Sequence, residues 1–154
     1  MKAWRIEKKK RVATATTGEG ARMVGGRWNS AGLAVVYASE HLSLAILEIL
    51  VHAPAPSSRL VARARAEIEI PDALIEEVLP QSLPANFGPS SPYAETQAIG
   101  DEWLRSKRAV AQVVPSAIVP LERNVLLNPH HPDFTKVIWG SFDPIALDPR
   151  LWRV

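Results

Sequence analysis

The fold is decided by the stretch Leu33-Ala34-Val35-Val36-Tyr37-Ala38-Ser39-Glu40-His41-Leu42-Ser43-Leu44-Ala45-Ile46-Leu47-Glu48-Ile49-Leu50-Val51-His52. Its first six residues, 33–38, are valine-rich and predict a β-strand. Ser39 is a candidate N-cap for a helix that continues to about His52 and is stopped by Pro54. Because the second half of the chain predicts mainly strands, this strand–helix pair indicates the α+β class.

Residues 60–70 alternate between apolar and charged side chains. The apolar positions, which share one face, are Leu60, Ala62, Ala64, Ala66, Ile68 and Ile70. Arginine and glutamate occupy most of the other face, so the pattern predicts a strand with one solvated side.

The remaining elements are short. The predicted strands are Ala3–Ile6, Ala109–Val114, Ala117–Val119, Val125–Leu127 and Val137–Trp139. Pro71 and Asp72 open a predicted short helix to about Leu79, and Ser91 with Pro92 opens another to about Lys107. Residues 7–25 and the C-terminal tail are predicted to be irregular.

Residues 80–92 contain four prolines, which excludes a helix or a central strand there. The segment is long for a loop inside a domain, and such loops are usually functional or mobile. We interpret it as a surface crossing and not as a domain boundary, because neither half of the chain looks self-sufficient. Residues 1–154 are therefore predicted to form one domain.

Composition excludes several classes of protein. The chain has no cysteine, and its net charge of +2 is too small to predict nucleic-acid binding. The basic run from Lys8 to Arg11 is interpreted as a solvated turn. No apolar run approaches the roughly 18 residues of a membrane span, so a cytoplasmic protein without membrane or direct DNA contact is expected.

Glu48 lies in the middle of a helix that is apolar on almost every side, and such a helix is expected to be buried. Burying an unpaired carboxylate is costly, so Glu48 must have a partner or lie at the wall of a pocket. The alternative is that it lies on a narrow exposed stripe with His41 and His52.

A second polar group precedes this helix. Gly25 and Gly26 allow a turn or a close backbone approach. Arg27 supplies a planar cation suited to phosphate, and Trp28 and Asn29 supply an aromatic face and an amide. Tyr37, at the end of the predicted strand, can overhang the sheet edge, so this group indicates a pocket.

Two other motifs are weak. His130 and His131 near Asp133 form a predicted turn, and adjacent histidines cannot readily share one ion, so no metal site is expected. The glycines between Gly18 and Gly26 lack the strand–turn–helix setting of a dinucleotide fingerprint, so hydride-transfer chemistry is not expected.

The chain resembles the RES domain family, the toxin half of bacterial toxin–antitoxin pairs. The matching blocks are Trp4-Arg5-Ile6, Gly25-Gly26-Arg27-Trp28-Asn29, Val35-Val36-Tyr37-Ala38-Ser39, Glu48, Gly100-Asp101-Glu102-Trp103-Leu104, Val114-Pro115-Ser116-Ala117-Ile118-Val119-Pro120, Glu122-Arg123-Asn124 and Asn128-Pro129-His130-His131-Pro132-Asp133-Phe134. They occur in order along nearly the whole chain, and residues 80–92 match least.

The resemblance implies an ADP-ribosyltransferase-like fold, with two small bent sheets around an NAD cleft and flanking helices. It implies breakdown of NAD by hydrolysis or phosphorolysis, with NAD as substrate and no separate cofactor. By resemblance, the catalytic residues are Arg27, Tyr37 and Glu48. The expected NAD-binding residues are Arg5, Gly26, Trp28, Asn29, Ser116 and Asn124. The expected partners are an Xre-like antitoxin with a helix-turn-helix domain and, in a homodimer, a second copy.

Two other functions remain open at this stage. A protein ADP-ribosyltransferase would use the same fold with a different acceptor. A non-enzymatic module that binds nucleic acid or protein is disfavoured by the modest charge and by the complete Arg–Tyr–Glu set.

Overall fold

The computed structural model describes residues 1–52 and 61–152. Its strands are β1 (Lys2–Lys8), β2 (Val36–Ser39), β3 (Arg63–Glu69), β4 (Ile75–Glu77), β5 (Ala111–Pro115), β6 (Arg123–Leu127), β7 (Ile138–Trp139) and β8 (Asp143–Ile145). Its α-helices are α1 (Glu19–Val24), α2 (Leu42–His52) and α3 (Ala94–Ser106). The predicted helix stop at Pro54 and the predicted strand residue Leu60 lie outside the described residues.

The strands of the described segments join in the order β4-β5-β6-β2-β1-β3-β7, and β8 also pairs with β3. The α+β class predicted from the sequence is thus confirmed. The two separate sheets implied by the resemblance are instead one, because Trp4 of β1 pairs with Ser39 of β2. That single pair connects two halves of the sheet, one formed by β4, β5, β6 and β2 and the other by β1, β3, β7 and β8. In contrast, β1 and β3 pair along their full length from Lys2 to Lys8.

Apolar side chains form two clusters that fix the sheet and α3. The predicted alternation of β3 is confirmed, since Ala64, Ala66 and Ile68 are buried in the core. In the second cluster, Trp103 of α3 packs with Trp28 and Leu126. Helix α3 is therefore held against β6 and against the Gly25–Asn29 segment.

Helix α2 packs on β1 and β2, but it is less buried than its composition predicts. Leu44 and Ala45 are buried, whereas Leu47 and Val51 are exposed. The expectation of a fully buried helix is wrong, because α2 lies at the rim of a cavity with only one side on the sheet.

Two element predictions are wrong because backbone groups found other partners. The predicted helix at residues 71–79 is a short 3-10 turn followed by β4, which pairs in parallel with β5. The predicted strand at residues 117–119 is a turn, in which the Ser116 hydroxyl accepts hydrogen bonds from the amides of Ile118 and Val119 at 3.1 Å each.

Smaller differences concern element ends. Ser39 is the last residue of β2 and not an N-cap, since α2 begins at Leu42. Residues 7–25, predicted to be irregular, hold the end of β1, a 3-10 turn and α1. The tail, also predicted to be irregular, contributes β8, in which Pro144 faces Ala64 at the edge. Residues 83–92 form the predicted irregular loop.

No helix among residues 1–52 and 61–152 has the length and apolar character needed to cross a bilayer.

Candidate active site

A cavity of about 400 Å³ opens beside the point where β1 and β2 meet. Its wall includes side chains from both halves of the sheet, from α2 and from the two loops before β2 and α3. The charged and polar groups in this wall include Arg5, Arg27, Tyr37, Glu48, His52 and Asn124. The cavity therefore brings two cations and one carboxylate together at the junction of the sheet.

The Glu48 carboxylate is held on both oxygens. Oε1 accepts a hydrogen bond of 2.6 Å from Asn124 Nδ2 and one of 3.3 Å from the Ser116 hydroxyl. Oε2 lies 3.4 Å from Nε2 of His52, one turn later on α2. Glu48 thus has hydrogen-bond partners and also lines a pocket, and His52 of the alternative exposed stripe is one of those partners.

These partners keep the carboxylate ionised. Burial alone would raise the pKa of Glu48, but hydrogen bonds from His52, Asn124 and Ser116 outweigh burial and leave the pKa below its ordinary value. The hydrogen bond to Glu48 in turn raises the pKa of His52, against the opposing effects of burial and of the Arg27 charge. The cavity thus contains a fixed negative charge at neutral pH.

The Gly25–Asn29 segment is a tight turn that is held in place by hydrogen bonds from the side chains of Tyr37 and Asn29. Gly25 has a φ of +73°, which favours glycine, and the amide of Gly26 donates to the carbonyl of Asn29 at 2.8 Å. The Tyr37 hydroxyl donates to Asn29 Oδ1 at 2.8 Å and accepts from the Trp28 amide at 3.1 Å. This arrangement fixes where Arg27 leaves the turn.

Tyr37 is a neutral phenol with its ring in the cavity wall. Burial raises the pKa of its hydroxyl, and the hydrogen bond from the Trp28 amide only partly opposes this effect. Since the hydroxyl already forms two hydrogen bonds within the turn, Tyr37 can contact a ligand only through its ring face.

Arg27 is held by the proline-rich loop. Its guanidinium donates to the Ser91 hydroxyl at 2.8 Å and to the Pro89 carbonyl at 3.1 Å. It also lies over the ring of Tyr93, 4.6 Å from the centroid, in a cation–π contact. No carboxylate of the described residues lies within 4.0 Å of it, so Arg27 retains its charge for an anionic ligand.

Arg5 is the second cation of the wall and is largely buried. It donates to the Tyr37 carbonyl and to Glu7 Oε2, both at 2.6 Å, while its Nε is buried with no partner within the described residues. Burial lowers the pKa of Arg5, and Glu7 opposes that effect. Its charge is thus partly neutralised before any ligand binds.

The structure gathers most, though not all, of the site residues expected from the sequence. Those in the cavity wall are Arg5, Gly26, Arg27, Trp28, Tyr37, Glu48 and Asn124. Asn29 is fully buried behind the wall, where its Nδ2 donates to three backbone carbonyls. Ser116 is likewise fully buried, behind Glu48. These two residues are placed to shape the wall.

Sequence reasoning missed several wall residues, among them Ser39, His52, Pro89 and Tyr93. The signal for His52 was its position four residues after Glu48, which places both on one face of a helix. Tyr93 follows the loop that the resemblance constrains least, and no sequence pattern pointed to it.

The chain is a small α+β protein with an ADP-ribosyltransferase-like fold and a charged cleft at the junction of its sheet. The solved complex titled "Crystal structure of the M.tuberculosis MbcT-MbcA toxin-antitoxin complex" contains a chain of the same fold. That chain matches with a TM-score of 0.77 at 21% identity, over 98% of this chain and 86% of that chain.

The family follows from the sequence comparisons. The RES domain family model matches residues 2–147. "Toxin Res" of Yersinia enterocolitica is 42% identical over 98% of this chain and 99% of its own length. "Prs ADP-ribosylating toxin" of Sphingobium is 37% identical over 97% of this chain and 96% of its own length. The chain therefore belongs to the RES domain family of toxins.

Proposed function

We propose that this toxin degrades NAD by cleaving the bond between nicotinamide and ribose, with NAD as substrate and no further cofactor. The observation that carries this proposal is the ionised Glu48 carboxylate in the cavity wall, fixed through Oε1 by Asn124 and Ser116. A carboxylate so fixed is preorganised to stabilise a developing cation.

The chemistry of the bond explains why one carboxylate suffices. Nicotinamide leaves as a neutral molecule from a cationic ring, so the leaving group needs no proton. As the bond breaks, positive charge develops on the ribose, as in glycoside hydrolysis. Glu48 would stabilise that charge and accept a hydrogen bond from a ribose hydroxyl. Nothing in this step requires a general acid on the nicotinamide side.

The cations of the wall suit the pyrophosphate of the substrate. Arg27 has a planar fork and no carboxylate partner among the described residues, so it is the stronger candidate for a bidentate phosphate contact. Arg5, already paired with Glu7, would add a weaker second contact. The ring of Tyr37 would pack on the nicotinamide or ribose, beside Trp28 and Gly26.

Nicotinamide release by the isolated protein tests this proposal. Wild type should release nicotinamide from NAD with no target protein added, and Glu48→Gln should lower kcat by at least about 10²-fold, as loss of one electrostatic group does in other enzymes. Glu76→Gln is a matched control, because its side chain is similarly exposed, 27% against 24%, and lies outside the cavity wall. Undiminished turnover in folded Glu48→Gln would refute the proposal.

A second candidate function shares the same bond cleavage but has a protein acceptor. It is favoured by the Sphingobium relative, whose name describes an ADP-ribosylating toxin. Adenine-labelled NAD incubated with cell extract separates the two, since protein ADP-ribosylation leaves label on a protein band. Degradation by water or phosphate leaves all of the label in small molecules.

We further propose a cognate antitoxin as partner, because the structural neighbour is a toxin–antitoxin complex. From the resemblance, this partner would carry an Xre-like helix-turn-helix domain and block the cleft, and the toxin would act in the cytoplasm, with a homodimer as the possible assembly. Co-expression with the reading frame beside the toxin gene tests the pairing, with a co-purifying complex that releases no nicotinamide as the expected result.

A further inference from the structure

Ser39 has a connection to Glu48 that runs through Asn124. The two residues are cross-strand partners on β2 and β6, so their side chains share one face of the sheet. The Ser39 hydroxyl lies 2.7 Å from Asn124 Oδ1, and Asn124 Nδ2 lies 2.6 Å from Glu48 Oε1. These three side chains form a hydrogen-bonded row that ends on the carboxylate.

Only one orientation of the Asn124 amide gives each of the three side chains a donor–acceptor pair. An ionised carboxylate can only accept, so the amide nitrogen of Asn124 must point toward Glu48. The amide oxygen then faces Ser39, whose hydroxyl must donate to it. Reversing the amide would place two acceptors 2.6 Å apart, with no proton between them. Glu48 therefore sets the orientation of the Asn124 amide, and the Ser39 hydroxyl supports that orientation by donating to the amide oxygen.

Ser39 is well placed to hold that orientation. It is 3% exposed and pairs through its backbone with both Trp4 and Asn124, at the one pair that joins the two halves of the sheet. The residue is thus immobilised from two strands. Its hydroxyl has no other hydrogen-bond partner within the described part of the chain.

We infer that Ser39 and Asn124 form a positioning pair for Glu48, in which the Ser39 hydroxyl supports the Asn124 amide at its oxygen and the amide nitrogen holds Oε1 of the carboxylate. Asn124 thus occupies Oε1, while Oε2 keeps its contact with His52 Nε2 at 3.4 Å. Asn124 thereby acts on the carboxylate rather than binding NAD directly. This inference rests on the proposed function for its catalytic meaning, though not for its geometry.

The test is a carbon-13 NMR titration of the Glu48 carboxyl in glutamate-labelled protein, with the signal assigned by its loss in Glu48→Gln. Ser39→Ala and Asn124→Ala should each raise the pKa of Glu48, because each weakens the hydrogen bond that favours the charged form. The double variant should raise the pKa no further than Asn124→Ala alone, since Ser39 acts only through Asn124. Ser39→Thr, which keeps the hydroxyl, should restore the wild-type titration.

Kinetics supply a second readout. For nicotinamide release, Ser39→Ala should lower kcat about tenfold, the effect of one orienting hydrogen bond, and should move the acidic limb of the kcat profile to higher pH. The matched control is Asn128→Ala, which removes another buried amide, one that donates to the Leu104 carbonyl at 3.0 Å. It should leave both the titration of Glu48 and the acidic limb unchanged.

The outcomes separate the two proposals. An unchanged pKa of Glu48 in folded Ser39→Ala, or additive effects in the double variant, would overturn the positioning pair. A wild type that releases no nicotinamide would overturn the proposed function, while the titration would still decide whether Ser39 and Asn124 position Glu48.

Discussion

At the scale of single residues, the site depends on contacts that leave no room for a larger side chain. A Cβ added at Gly26 would lie 2.6 Å from the Tyr37 hydroxyl and 3.0 Å from Asn29 Oδ1. Both atoms belong to the hydrogen bonds that lock the turn before Arg27. The glycine is thus required by close approach, and its φ lies outside the left-handed range that Gly25 occupies.

Gly26→Ala should therefore destabilise the protein by about 1–3 kcal/mol, the usual cost of overpacking, and should impair NAD cleavage by displacing Tyr37. Gly20→Ala is the control, because it lies in α1 with nothing within 4 Å of the added carbon. It should be neutral or stabilising by up to about 1 kcal/mol. Urea denaturation measures both, and equal stabilities for the two variants would refute the account.

The His52–Glu48 pair gives a prediction about pH. The pKa of His52 is raised from its ordinary 6.5, so its stabilisation is complete below that value and is lost as pH rises through the folded pKa. The pKa of Glu48 is lowered from 4.5, so its stabilisation is complete above that value and is lost as pH falls through the folded pKa. Both contributions are therefore complete between pH 4.5 and pH 6.5.

The difference in Tm between wild type and His52→Gln should accordingly be largest in that window and should shrink as pH rises further. His130→Gln serves as control, since no carboxylate of the described residues lies within 4.0 Å of His130. Melting curves measured across pH by circular dichroism test the prediction. A Tm difference that grows above pH 6.5 would contradict it.

At the scale of elements, α3 is positioned by one close approach to the active-site turn. A Cβ added at Gly100 would collide with the backbone carbonyl oxygen of Trp28. The Cβ is fixed by the helix backbone and the oxygen by the backbone of Trp28, so no side-chain rotation can relieve the contact. The helix can lie this close to the turn only with glycine at position 100.

Gly100→Ala should therefore destabilise by about 3 kcal/mol or more, at the upper end of overpacking effects. Gly88→Ala in the proline-rich loop is the control, as the nearest atom there, the Asn86 carbonyl oxygen, is 4.0 Å away. Chemical denaturation distinguishes them. A Gly100→Ala protein as stable as wild type would mean that α3 does not pack on Trp28 as described.

Elements with a strong local signal could be predicted from the sequence, and those defined by distant partners could not. The alternation at Ala64, Ala66 and Ile68 is local, so β3 was predicted nearly in full. Helix α3 was predicted too, but its predicted start at Ser91 and Pro92 is wrong, because the helix begins at Ala94 and Ser91 bonds to Arg27 and Gly88. Strand β4 was predicted as a helix because its partner, β5, lies more than thirty positions later in the chain. Pairing with β5 overrode the local preference of residues 75–77.

The same distinction holds within the site. Glu48 was a candidate from its place in an apolar helix, with an exposed stripe as the alternative, and Arg27 was a candidate from its glycine turn. The family pattern linked them through Tyr37. The role of Ser39 could not be predicted, because it depends on Asn124, 85 positions away in the sequence. The hydrogen bond that Arg27 donates to Ser91 likewise joins residues 64 positions apart.

At the scale of the whole molecule, the sheet explains why the cleft lies where it does. Within residues 1–52 and 61–152, Trp4 and Ser39 are the one strand pair that joins the two halves of the sheet, and the cavity opens beside that pair. The positive charge of Arg5 comes from β1, whereas the negative charge of Glu48 lies on α2 and is held by the Asn124 amide of β6. The site therefore needs both halves of the sheet and α2 in place.

The central claim is that this cleft binds NAD with its nicotinamide ribose at Glu48. The measurement that tests it most directly is a crystal structure of the Glu48→Gln variant with NAD, in which slowed cleavage preserves the substrate. We expect intact NAD in the cavity, with the nicotinamide ribose within hydrogen-bond reach of the side chain at position 48 and the pyrophosphate at Arg27. An empty cavity at saturating NAD, or NAD bound elsewhere on the protein, would contradict it.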